Sequence, residues 1–170
     1  MQRSEELTWL LSDQIYDLTI SRAVFLDYFE NGNYDLTNKK YEAITRMTVS
    51  YAILSLSKLW ETLDHYGGEI NSLPEPLRLK CVDLRSKLVA LDVFQFRSVH
   101  ISHVIDKETE LPIDLEMSKT NLAKIIGNNM NELLNFFDWL CPPQKNSVVS
   151  IVQELKNYCH VLSKESDSVL

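Results

Sequence analysis

From Leu7 to Leu162 the apolar residues recur at three- and four-residue spacing, and nowhere do they alternate as they would along a half-buried strand. That periodicity restricts the chain to packed helices. Only 4 glycines and 5 prolines punctuate its 170 residues, so the breaks are few and the helices long. The spacing predicts one all-α bundle of about five helices. The first runs from Glu5 to Glu30, with Ser4 as its N-cap and Leu7, Leu11, Ile15, Leu18, Phe25 and Phe29 on its face. The second runs from Thr37 to Tyr66 and is stopped by Gly67-Gly68.

A third helix starts from a capping-box spacing, Ser72 to Glu75, with Pro74 in the first turn, and continues to about His103. It carries one apolar stripe of Leu77, Cys81, Leu84, Leu88 and Leu91, and another of Val82, Val89, Val93 and Phe96. Two apolar faces put it at the centre of a bundle or against a partner subunit. Residues 107–114 read as a loop. A fourth helix spans Leu115 to Leu140 and stops before Pro142-Pro143. A fifth spans Asn146 to Ser163. One domain, 1–163, is expected, with 164–170 as a frayed tail.

Composition narrows the function classes. No run approaches the ~20 apolar residues of a membrane span. The N-terminus, Met1-Gln2-Arg3-Ser4-Glu5-Glu6, lacks the apolar run of a signal peptide. The three cysteines, Cys81, Cys141 and Cys159, fit neither a disulfide framework nor a zinc ribbon. A cytoplasmic protein is expected. Net charge is −7, which argues against a broad basic surface for nucleic acid. The segment from Leu77 to His103 is the exception, with five basic residues (Arg78, Lys80, Arg85, Lys87, Arg97) against two acidic ones (Asp83, Asp92).

Several chemistries lack their residues. Gly-x-Gly-x-x-Gly, the Walker pattern and the Gly-x-Ser-x-Gly elbow do not occur. The Glu-x-x-His pairs of di-iron bundles are missing too, although Glu61 and His65 are four apart and His100 and His103 three apart. No metal and no cofactor are expected. Trp9, Trp60 and Trp139 fall at helical spacing and read as core and rim residues in preference to base-stacking platforms.

What remains is Phe96-Arg97-Ser98-Val99-His100-Ile101-Ser102-His103. Arginine stays charged in proteins and histidine titrates near neutrality. Together they supply a fixed cation and a proton shuttle, sufficient for phosphodiester cleavage in RNA without a metal. On an unbroken α-helix the six positions from Arg97 to His103 rotate the side chain by about 240°, and a long arginine can bridge the offset. The alternative is an arginine capping carbonyls at a helix end beside a partly buried histidine.

Two segments together resemble the HEPN superfamily, most closely its abortive-infection U branch. One is Arg97 to His103, followed by Asp106; the other is Tyr51-Ala52-Ile53-Leu54-Ser55-Leu56-Ser57-Lys58-Leu59-Trp60-Glu61. Ser98 stands where the family usually has Asn or another strong polar group, and Ile105 stands where some HEPN toxins carry a modifiable tyrosine. The resemblance implies a HEPN-like bundle and a metal-independent endoribonuclease, acting as a toxin or antiviral effector. It implies catalytic roles for Arg97 and His103, with Ser98 and His100 in support. The partners expected are RNA, a second copy of the chain docked through the third helix, and an antitoxin or other defence protein. The reading of a different class is a non-catalytic helical interaction protein in such a module.

Overall fold

A computed structural model describes residues 3–31, 38–101, 114–141 and 146–167. The described residues form eight α-helices and one π-helical turn, and no strand occurs among them. In order these are α1 (Arg3–Glu30), α2 (Lys39–His65), α3 (Gly67–Asn71), α4 (Glu75–Ala90), α5 (Val93–Phe96), the π turn (Arg97–Ile101), α6 (Leu115–Ile126), α7 (Met130–Leu140) and α8 (Val148–Asp167).

Four of them make the frame. α1 packs on α2 and α8, and α4 packs on α2 and α8 from the opposite corner. Cross-links fix the directions. Tyr66 reaches Glu6, Lys58 reaches Asp17, Arg85 reaches Asp64 and Lys80 reaches Glu154. The first two pairs set α1 and α2 antiparallel. Lys80 beside Glu154, with Pro76 and Leu77 beside Asn157 and Val161, does the same for α4 and α8. Arg22 of α1 and Lys87 of α4 both meet α7, so the frame runs up-down-up-down. α1 buries Leu7, Leu11, Gln14, Leu18, Ser21 and Phe25, a 4-3-4-3-4 spacing that keeps one seam facing inward over the whole helix. α4 does the same with Leu77, Cys81, Leu84 and Leu88, and α8 with Val148, Val152, Leu155 and Cys159.

α2 is the most enclosed helix, with Ser55, Ser57, Thr48 and Thr62 buried among its leucines. Thr48, Ser55 and Thr62 each donate back to the carbonyl four residues earlier, which satisfies the hydroxyls without a tertiary partner. α7 closes one end through Phe137, whose ring stacks 4.5 Å from that of Phe25.

The extra helices come from breaks inside the expected ones. The third helix ends at Ala90, because Asp92 adopts a left-handed conformation (φ 56°) and the chain restarts as α5. The fourth divides at Gly127, where φ is 84°, and Asn129 caps α7 by accepting from the Glu132 N–H. Ser72 does not begin a helix. It ends α3, donating to the Glu69 carbonyl, while Pro74 precedes α4. Ser4 lies within the first turn of α1, where its carbonyl accepts from Thr8. α8 continues to Asp167, four residues past the expected end.

Candidate functional site around Arg97

The break at Asp92 determines where the Arg–His segment points. A straight third helix would carry Val82, Val89, Val93 and Phe96 along one face. After the left-handed residue, Val93 and Phe96 turn into the core, while Val82 and Val89 stay exposed on α4. The expected stripe is therefore two surfaces on two axes. Anchored by Val93 and Phe96, the backbone enters the π turn at Arg97. Hydrogen bonding from i to i+5 widens the turn, so the 240° rotation of an α-helix does not hold across it.

Arg97 is held on both sides. Its guanidinium donates to the Glu61 carboxylate at 3.0 Å and lies over the Phe94 ring, 4.7 Å from the centroid. The Phe94 ring in turn sits 5.1 Å from that of Trp60. Trp60, Phe94 and Arg97 thus pack in sequence on the flank of α2, the two rings tilted by 47°, with about a fifth of the Arg97 side chain accessible. The Trp60 indole N–H is buried with no partner among the described residues. Ser98 is half-buried in the π turn. The backbone of His100 belongs to the same turn; its side chain, and all of His103, lie outside the described residues.

Glu61 is the residue at this site that its sequence position left without a role. It closes the segment Tyr51–Glu61, and folding sets it against the arginine of the other segment.

The locally basic stretch is mostly spent inside the molecule. Lys80 pairs with Glu154 at 2.7 Å, Arg85 with Asp64, and Arg97 with Glu61. Lys87 lies 4.1 Å above the Trp139 ring, and burial lowers its pKa. A cluster of cations in sequence becomes a set of matched pairs across the bundle, as expected for side chains on a helix flanked by acidic neighbours.

A groove of about 610 Å³ opens beside the π turn, between α2 and α6. Phe96 and Ile101 form its floor, and Arg46, Lys119 and Glu42 stand among its walls. Lys119 is paired with Glu116 at 2.9 Å. Neither Arg46 nor Lys119 belongs to the basic stretch, and only the approach of α6 to α2 brings them together. Among the described residues no group of three or more His, Cys, Asp or Glu side chains is placed to hold a metal ion. Cys81 and Cys159 are buried, which pushes their thiols up to about 12 and about 11, so neither is a nucleophile at neutral pH.

No family model matches the chain, and no curated protein matches it. Among solved structures it is similar to an integron cassette protein, Vpc_cass2, from the mobile metagenome of V. paracholerae. The two share the fold. The TM-score is 0.76 at 19% identity, over 93% of this chain and 96% of that one. At that identity the likeness concerns architecture alone. No helix among the described residues is long and apolar enough to cross a membrane.

Proposed function

We propose that this chain is a metal-independent endoribonuclease of HEPN type, acting in the cytoplasm as a toxin or antiviral effector. The observation that carries the reading is the Glu61–Arg97 ion pair, because it joins the two segments on which the resemblance rests. Glu61 occupies one of the five guanidinium N–H donors, leaving others for a phosphate. In this reading Arg97 holds the scissile phosphate and stabilises its developing charge. His103 exchanges the proton of the attacking 2′-hydroxyl or the leaving 5′-oxygen, and Ser98 and His100 support them. The groove at Phe96 and Ile101 offers RNA a path lined in part by Arg46. A homodimer belongs to the same reading; of the face expected on the third helix only Val82 and Val89 are exposed, since Val93 and Phe96 are core. So does an antitoxin or other defence partner.

Three of the five local cations are ion-paired and Lys87 rests on a ring, which favours a second reading, a non-catalytic helical interaction protein. Its surface would be read through shape and apolar contact more than through charge. One experiment separates the two. Purified protein is incubated with mixed RNA, with and without EDTA. Cleavage that survives chelation and leaves a 2′,3′-cyclic phosphate and a 5′-hydroxyl supports the enzyme. Arg97→Ala and His103→Ala should then each abolish it with melting unchanged, and His100→Ala should do less. Loss of activity on chelation with recovery in manganese overturns the mechanism, and no cleavage under any condition favours the interaction protein.

A further inference from the structure

Two grooves follow the outer side of the α1–α2 pair and meet at Tyr51. The first, about 380 Å³, lies between Trp9, Asp13 and Tyr16 of α1 and Lys58 of α2. The second, about 550 Å³, lies between Ile20 and Val24 of α1 and Met47 and Leu54 of α2. The ridges beside them are apolar and open: Trp9 is 62% exposed, Tyr16 72%, Ile20 51% and Met47 56%. Trp9, Asp13, Tyr16 and Ile20 fall at 4-3-4 spacing, so they form a second stripe on α1, set away from the buried one. Tyr51 donates to the Asp17 carboxylate at 2.7 Å, which fixes its ring before anything docks.

We propose that this face binds a second copy of the same chain, about a two-fold axis parallel to the helices, so that α1 of each copy lies on α2 of the other. α1 and α2 are antiparallel neighbours whose residues pair at matched heights, Asp17 beside Tyr51 and Lys58. A two-fold along the helices preserves those heights. It sets the Tyr16 and Ile20 ridge of one copy into the groove at Tyr51 and Leu54 of the other. It also brings Asp13, which has no ion pair among the described residues, opposite the partner's Lys58. The Lys58 side chain is 43% exposed beyond its own pair with Asp17.

The strip from Trp9 to Val24 is about 22 Å long and two helix diameters, about 20 Å, wide, or roughly 450 Å² in projection. That is below the ~800 Å² per partner of a standard interface and fits a reversible dimer. The inference does not rest on the ribonuclease reading, and its face is not the α4 surface named there.

Light scattering or sedimentation over a concentration series tests it. The mass should rise from one chain toward two as concentration passes through the order of 10–100 μM. Ile20→Asp and Tyr16→Asp, both at exposed positions, should hold the protein monomeric with unchanged helicity and melting. Val89→Asp on α4 should leave association intact. Asp13→Lys and Lys58→Glu should each weaken it at least tenfold, and an equimolar mixture of the two should restore it. In the mixed dimer each 13–58 contact again joins opposite charges. A wild-type protein that remains monomeric at several hundred micromolar overturns the proposal. So does a mixture no stronger than its components, or a dimer that Val89→Asp abolishes and Ile20→Asp spares.

Discussion

Arg97 gathers more of the molecule around it than Ser98, the other expected site residue whose side chain is described. Its sequence neighbours explain half of that, since Phe94 lies three residues upstream and supplies the ring on which the guanidinium rests. The other half is Glu61, 36 residues away. If the carboxylate positions the guanidinium, Glu61→Gln should lower RNA cleavage about tenfold while leaving stability almost untouched, because partly exposed pairs contribute roughly 0–1 kcal/mol. Arg97→Lys should fail to restore activity, since an ammonium lacks the planar fork that lies flat on Phe94 and binds a carboxylate and a phosphate in fixed directions. Cleavage rates and melting curves of both variants measure this. Full activity in Glu61→Gln would mean that the pair is only a surface tie.

At the scale of elements, the two breaks decide the local geometry. Gly127 is a position that only glycine occupies without strain. Its φ is 84°, and a Cβ there would collide with the Glu132 side chain, whose carboxylate accepts from the Asn128 N–H at 2.6 Å. Gly127→Ala should therefore destabilise the protein by about 1–3 kcal/mol, a fall in Tm of several degrees. Asp92 is in the left-handed helical region, φ 56° and ψ 35°, at a cost that glycine would not incur. Asp92→Gly should be neutral to stabilising, by up to about 1 kcal/mol, and thermal melts of the two variants should move in opposite directions. Both breaks had signals in the sequence, in Gly127-Asn128-Asn129 and in the acidic residue after Leu91. The uninterrupted apolar periodicity across them outweighed those signals, since a helix restarting after a short break keeps much of its phase.

At the scale of the whole molecule, buried acids make the bundle sensitive to alkali. Burial raises the Cys81 and Cys159 thiols, and Cys159 adds to the effect on Cys81. The Asp17 carboxylate, by hydrogen bond, raises Tyr51, and burial raises Tyr66 beside Glu6. A raised acid favours folding fully below its unfolded pKa. For the thiols that contribution is lost as pH climbs from the ordinary value of 9.0 through about 11 and 12, because the unfolded chain releases the proton first. Urea midpoints should be flat from pH 7 to 8 and fall steeply above pH 9. A Cys81→Val, Cys159→Val double variant should fall less. An equal fall would assign the alkaline loss to the tyrosines.

The helical class was written in the spacing of Leu7 through Phe25, Leu77 through Leu88 and Val148 through Cys159, because each seam depends only on the 3.6-residue turn. Local sequence also placed starts near Asn38 and Asp114, which accept from the N–H groups that a helix start leaves unpaired, while the Asn129 cap fell inside a helix expected to be continuous. What no single segment contains is which surface each helix keeps and which it gives up. Val82 and Val93 look alike in sequence, yet one faces solvent and the other is core, because the axis turns at Asp92 between them. Lys80, Arg85 and Arg97 read as a basic run until Glu154, Asp64 and Glu61 close on them from other helices. Periodicity is a property of one helix; charge and exposure depend on its neighbours, and those are settled only when the helices pack.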